Sequence, residues 1–207
     1  MEDDYISINR DLWNTKTKYH LNSPYYNVAE FISNENSITL KQTELDLLGN
    51  IKDKRILHLQ CHFGLDTLSL GRLGAKKVIG LDLSNIAIEN ACRIGEQVHL
   101  NNVVEFVCCD IYQIGNYLKI NDENDLFDII FTSYGTTKWF PDLNQWAKII
   151  ENYLKPNGSF IIVDFHPMLW TFDEQFEHLA NYSYFNHGPS RTKIVYKSLR
   201  YDFDFIS

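Results

Sequence analysis

Residues 55–82 read RILHLQCHFGLDTLSLGRLGAKKVIGLD, and this stretch decides the fold. Its opening, Arg55 to Gln60, is a short apolar run of the kind a buried strand needs. Leu65, Leu68 and Leu73 then fall at roughly helical spacing, and Gly74 supplies a C-terminal stop. Lys77 to Asp82 is a second buried run, so a strand, a helix and a strand follow one another directly. Outward from there the unit repeats. Ser84 offers an N-cap to a helix striped by Ala87, Ala91, Ile94 and Val98. VVEFVCC (103–109) and FDIIFTS (127–133) lack the strict alternation of a half-exposed sheet and are predicted as strands buried on both faces. Leu143, Trp146, Ala147, Ile150 and Leu154 mark a further helix, and Pro156-Asn157-Gly158 turns the chain into a fifth strand, SFIIVDF (159–165). Such alternation implies right-handed crossovers, a largely parallel sheet with helices on both faces, and ligands at the C-terminal strand ends. Before Ile51 the chain is polar and aromatic, with helices expected over Ile8 to Tyr19 and Ser37 to Leu48 around a Pro24-Tyr25-Tyr26 turn.

Composition narrows the function. The chain has 207 residues, 44% hydrophobic and 22% charged, which suits one globular domain with a real core. Nineteen basic against 27 acidic side chains leave a formal charge of −8, which disfavours a phosphate backbone as partner. The start, MEDDYISINR, has no basic and apolar targeting pattern, and no apolar run is long enough for a bilayer, so a cytoplasmic protein with no membrane partner is expected. Cys61, Cys92, Cys108 and Cys109 form no C-x-x-C, and His58 and His62 run from a strand into a loop. Neither pattern predicts a metal site or a disulfide framework.

The first strand-to-helix loop, Gln60-Cys61-His62-Phe63-Gly64, is where a nucleotide-like ligand meets backbone N–H groups and a helix N-terminus. It holds one glycine, so the G-x-G-x-x-G dinucleotide pattern is absent and a nicotinamide-dependent oxidoreductase is disfavoured. Asp82 closes the second strand 18 residues past Gly64, near the spacing at which a carboxylate takes ribose hydroxyls. The alternative is a helix-start aspartate beside Ser84. Asp110 closes the third strand, where it either accepts from an adenine amino group or serves a turn.

ILHLQCHFGLDTLSLGRLGAKKVIGLDLS, EFVCCDIYQI and FDIIFTSYGTTKWFPDLNQWAKIIENYLKPNGSFIIVDFHPMLW, with NRDLWN near the start, resemble in order the motifs of the class I S-adenosylmethionine-dependent methyltransferases, in a subgroup whose cofactor loop reads HLQCHFG. The resemblance covers roughly residues 9–175 and implies a Rossmann-like methyltransferase fold with S-adenosyl-L-methionine as cofactor. It implies that Gln60, Cys61, His62 and Gly64 form the cofactor loop and that Asp82 with Leu83 holds the ribose. It further implies that Asp110 and Ile111 hold the adenine, and that Thr132 and Ser133 hold the methionine portion, with Tyr134 beside the methyl group. This sequence has His58 where the family usually has an acid, and Gln60 and His62 where it has glycines. Gln60 would then serve the amino or carboxylate group of the methionine end by its side chain, and His58 reads as a buried histidine satisfied by neighbours.

Trp13, Tyr25 and Tyr26 are candidates for a lid, since a sulfonium cation is attracted to aromatic faces, with ordinary packing of an N-terminal arm as the alternative. Tyr134 and His166 are the candidate catalytic side chains, although methyl transfer needs little beyond in-line positioning. The organisation expected is an arm and lid over 1–50, a cofactor-binding core over 51–165, and an aromatic insertion with a truncated tail over 166–207. TKIVYKS and RYDFDFIS supply only part of the closing antiparallel strand pair. An incomplete closure predicts a homodimer or higher oligomer through the C-terminal segment, with weak or absent turnover. The function expected is methyl transfer to a small-molecule acceptor, with a non-catalytic cofactor-binding or oligomerising module as the alternative.

Overall fold

The computed structural model describes residues 5–166 and 168. Five parallel strands, β1 (Arg55–Leu59), β2 (Lys77–Asp82), β3 (Val104–Cys108), β4 (Phe127–Ser133) and β5 (Leu154–Val163), lie in the order β3-β2-β1-β4-β5. Among the described residues six α-helices accompany them: α1 (Tyr5–His20), α2 (Val28–Ser33), α3 (Gln42–Leu48), α4 (Leu65–Arg72), α5 (Asn85–Gln97) and α6 (Leu143–Tyr153). The strand order reverses between β1 and β4, and a parallel sheet opens a crevice at such a point. Among the described residues no helix is long and apolar enough to cross a membrane.

The period of two along the strands sorts the core into two layers. Ile56, Val78, Ile129 and Phe131 pack with Leu65, Leu68, Ala87 and Ile94 of α4 and α5, while Leu57, Leu59, Ile79 and Ile130 face Trp146, Ile150 and Tyr153 of α6. Covering both faces explains why β1, β2 and β4 read as continuous apolar runs. The expectation of burial on both faces fails for β3, which is an edge strand of the described sheet: Glu105 is exposed and pairs with Lys77 of β2 at 3.0 Å.

Ser84 caps α5, its Oγ accepting from the Ala87 N–H at 3.0 Å, a contact worth about 1 kcal/mol. The arm departs from expectation. Residues 37–41 are an extended strap rather than a helical turn, because the Thr39 N–H donates to Ser69 Oγ of α4 at 3.0 Å and Leu40 is buried beneath it. α2, which hydropathy alone did not announce, is fixed by the buried ring of Phe31. Strand β5 starts at Leu154 rather than Ser159, with Pro156-Asn157-Gly158 absorbed as an irregularity in its pairing with β4. The aromatic insertion, the two closing strand pieces and the oligomer expected through them fall almost wholly outside the described residues.

Candidate functional site

A cavity of about 640 Å³ opens at the C-terminal ends of the strands, between the sheet and the N-terminal arm. Its floor is the loop after β1. Gln60, His62 and Gly64 there have φ of 53°, 54° and 80°. Two of the three are non-glycine residues in the left-handed region, which costs roughly 1–2 kcal/mol each. Side chains hold them there. Gln60 Nε2 donates to the Thr136 carbonyl at 3.1 Å, and its Oε1 accepts from Thr132 Oγ1 at 3.4 Å. His62 is packed among Trp13, His20, Tyr26 and Phe63. Thr17 gives its hydroxyl proton to the Trp13 carbonyl at 2.7 Å, so at the 3.2 Å contact His62 Nε2 is the donor. Burial, then the charges of His20 and Lys16, hold the His62 imidazole neutral.

Asp82 joins two loops. Its Oδ2 accepts from the His62 N–H at 2.8 Å and its Oδ1 from the Ser84 N–H at 2.8 Å. A carboxylate has about four acceptor sites, so these bonds leave acceptor capacity for a ligand hydroxyl. Burial raises the carboxyl to about 6, against the opposing backbone hydrogen bonds from Ser84, His62 and Leu83. Asp110 starts the 3-10 turn Ile111–Asn116 with Oδ1 accepting from the Tyr112 N–H at 3.1 Å, so the turn role is filled while the residue also lines the cavity.

The structure brings Gln60, Cys61, His62, Gly64, Asp82, Leu83, Asp110, Ile111, Ser133 and Tyr134 to one cavity, with Trp13, Tyr25 and Tyr26 along its arm side. Two expected residues stand apart. Thr132 is fully buried behind Gln60, its hydroxyl also donating to the Leu59 carbonyl at 3.3 Å, and it does not line the cavity. His166 lies outside the cavity wall, accepting at Nδ1 from the Met168 N–H at 3.2 Å. Burial, the hydrogen bond with Glu44 and the charges of Glu44 and Asp66 push the Tyr134 hydroxyl upward. Tyr134 therefore keeps its proton near neutrality and is unsuited to act as a phenolate base.

Sequence reading passed over Asp66 and Asp164 here, and it expected His58 to be buried and satisfied by its neighbours, which holds only in part. His58 is 2% exposed and only half satisfied: Nδ1 meets Thr67 Oγ1 at 2.8 Å, while Nε2 has no partner and the residue lines the cavity. Burial lowers it to about 3, so it is neutral. Asp66, in the first turn of α4, accepts from Thr39 Oγ1 at 2.5 Å and from Ser133 Oγ at 3.4 Å. Asp164, just past β5, gathers the Tyr134 turn, accepting from the N–H of Gly135 at 2.5 Å and from the Thr137 N–H and hydroxyl at 3.2 and 2.8 Å. Burial works against its ionisation, but those hydrogen bonds prevail and hold it below the usual carboxylate range. The signal available was an acid closing the fifth strand, as Asp82 and Asp110 close the second and third.

Tyr134 and Gly135 have φ of 50° and 79°, a conformation that Asp164 stabilises. Asp164→Ala is expected to cost about 1.5–3 kcal/mol, the range for hydrogen bonds to a charged acceptor. Urea denaturation checks the loss, and hydrogen exchange at Gly135 and Thr137 should accelerate along with it. An unchanged exchange rate there would show that the turn holds itself.

A Rossmann-like parallel sheet with a side-chain-braced first loop and acids at the ends of β2 and β3 defines an α/β domain of the class that takes its ligands at the C-terminal strand ends. Residues 51–201 match the family model described as a methyltransferase domain, and the chain belongs to that family. A putative S-adenosylmethionine-dependent methyltransferase from Listeria monocytogenes is 25% identical, with a TM-score of 0.58 over 79% of this chain and 75% of that one. An S-adenosylmethionine-dependent methyltransferase from Mesorhizobium loti is 23% identical, with a TM-score of 0.51 over 61% of this chain and 54% of that one. Geranyl diphosphate C-methyltransferase from Streptomyces coelicolor, solved with S-adenosyl-L-homocysteine, shares the fold at 16% identity, with a TM-score of 0.50 over 58% of this chain and 42% of that one. The chain thus spans about half the length of the latter two. No curated protein matches it.

Proposed function

We propose that this protein binds S-adenosyl-L-methionine in the cavity and transfers its methyl group to a small-molecule acceptor. The observation that carries the reading is Asp82, held between two loops with lone pairs left for ribose hydroxyls at the end of β2. The residues fit the group. Asp110 lines the cavity past the end of β3 and is read as the acceptor for an adenine amino group, Gln60 and Ser133 line it towards β4, and the orphaned Nε2 of His58 is one more polar atom at its wall. When bound, the cofactor supplies a methyl group on a positively charged sulfur, already disposed to leave. The chain's own residues then orient and exclude water. The aromatic faces of Trp13, Tyr25 and Tyr26 cover the cavity from the arm and favour a cation beneath them. Tyr134, protonated and fixed by its turn, acts as a hydrogen-bond donor or a wall. A net charge of −8 and a cavity roofed by the chain's own arm favour a small acceptor over nucleic acid.

Titration calorimetry with S-adenosylhomocysteine, S-adenosylmethionine and NAD tests this reading. The first two should bind and NAD should not. Folded protein that ignores both sulfur ligands, or that prefers NAD, would refute it.

A further inference from the structure

The face of α1 that lines the cavity carries one amide. Tyr5, Ile6, Asn9 and Trp13 form that face, each three or four positions from Asn9. Asn9 is 4% exposed, and its Oδ1 is buried without a hydrogen-bond partner. A buried acceptor left unpaired costs free energy, so a donor that can pair with it is strongly favoured. The neighbours of Asn9 on the helix fix what lies beneath it. Trp13, one turn on, packs its ring 5.5 Å from that of His62, whose N–H donates to Asp82. Asn14 Oδ1 accepts from Ser84 Oγ at 2.7 Å and from the Ile86 N–H at 3.3 Å, which ties α1 to the start of α5 just past β2. Burial raises the Asp110 carboxyl, opposed by the Tyr112 N–H and then by the charge of Arg10, the residue after Asn9. These contacts set Asn9 over the stretch from Asp82 to Asp110, where Leu83 and Ile111 also line the cavity.

The chemistry of an amide selects the edge it can read. A carboxamide holds an acceptor and a donor side by side, which matches the 6-amino group and N7 of adenine as a bidentate pair. Asp110, on the sheet side, can accept one of the two amino hydrogens and leaves the other on the N7 side. A ribose hydroxyl is a poorer match, because it has a single hydrogen and Asp82 is there to accept it. Rotation about χ2, which is broad for an amide, turns the acceptor of Asn9 from its unpaired position to such a ligand. Asn9 lies outside residues 51–201, so the contact comes from the arm and not from the part of the chain that matches the methyltransferase family.

We infer that Asn9 is a specificity-determining residue that pairs with the N7 and 6-amino edge of the bound adenine, so that the arm reads the base from the side opposite Asp110. The inference rests on the reading of the cavity as an S-adenosylmethionine site.

Titration calorimetry on the full chain tests it with S-adenosylhomocysteine, adenosine, 7-deazaadenosine and purine riboside, of which the third lacks N7 and the fourth lacks the amino group. The wild type should bind adenosine more tightly than either analogue. Asn9→Leu should weaken S-adenosylhomocysteine and adenosine roughly 10- to 100-fold, as expected for a lost bidentate pair. It should bind adenosine and 7-deazaadenosine alike, while purine riboside stays weaker because Asp110 still reads the amino group. Without ligand its thermal melt should lie at or above that of the wild type, since the acceptor it replaces has no partner in the free protein. Asn9→Asp keeps the size and an acceptor but offers N7 no donor, and it should likewise lose the preference for adenosine over 7-deazaadenosine. Undiminished affinity in Asn9→Leu, an equal loss for all three nucleosides, or a wild type indifferent to N7 would overturn the inference. The equal loss would mark a side chain that is merely in the way. A wild type that binds the nucleosides in the expected order but ignores S-adenosylhomocysteine would keep the role of Asn9 and remove the methyltransferase reading, whereas one that binds none of the four would remove both.

Discussion

Asp82→Ala is expected to weaken S-adenosylhomocysteine at least about 100-fold, because two ribose hydroxyls lose a charged acceptor at about 1.5–3 kcal/mol each. The loss exceeds a simple contact count, since the His62 and Ser84 N–H groups lose the carboxylate that joins their loops. Asp82→Asn separates the two parts. It keeps an acceptor in place and should bind with intermediate affinity. The pH dependence gives an independent check. The Asp82 carboxyl titrates at about 6 rather than 3.8, and ligand hydroxyls favour its ionised form. Affinity in the wild type should therefore fall as the pH drops through about 6, while Asp82→Asn stays flat across that window. Stability without ligand should move in the opposite sense. A carboxyl raised on folding binds its proton more tightly in the native state, so between about 6 and 3.8 its contribution grows more favourable as the pH falls. Calorimetry from pH 5 to 7.5 reads the first effect and thermal melting the second. Undiminished binding by a folded Asp82→Ala protein would leave only the loop-joining role.

What the sequence made legible were features that depend on local periodicity. β1, β2 and β4 with α4, α5 and α6 sit where apolar spacing puts them, because burial on both sheet faces leaves uninterrupted runs and a helix stripe leaves threes and fours, whereas β3 is half exposed and β5 begins at Leu154 rather than Ser159. The arm was harder. Residues 37–41 carry no periodic signal that separates an extended strap from a helical turn, and what decides is the Thr39 contact with Ser69, thirty residues away. The same holds within the site. Asp82 announced itself by spacing from Gly64, whereas Asp66 and His58 gain their meaning only when α4 is laid against β1 and β4. Thr132 illustrates the converse: strand alternation sends its side chain to the side away from Ser133, and it supports Gln60 instead of facing the cavity. The substitution of Gln60 and His62 for glycines left the loop geometry open on sequence grounds. The structure keeps the left-handed turns and shifts their support to Thr136, Thr17 and the aromatic arm.

The one glycine kept in that loop should be the least replaceable residue in it. Gly64 has φ +80°, and a Cβ there would lie 2.5 Å from two ring carbons of Phe106 and 3.0 Å from the Ala91 Cβ. Gly64→Ala therefore combines left-handed strain of about 1–2 kcal/mol with overpacking of about 1–3 kcal/mol, a total near 2–5 kcal/mol. Gln60 and His62 tolerate a similar φ because open cavity and side-chain partners surround them, while Gly64 faces the ring of β3 across the start of α4. A double-mutant cycle with Phe106→Leu separates the two costs. Removing the ring should return the overpacking part and leave the strain, giving a coupling of about 1 kcal/mol or more in urea denaturation. Strict additivity would mean that Phe106 swings aside without cost and that backbone strain alone sets the penalty. Because Gly64 caps α4 and aims its N-terminus at the cavity, the single variant should also lose S-adenosylhomocysteine affinity, and the double variant should regain it only in part, since the strained φ still misdirects the loop that Asp82 holds.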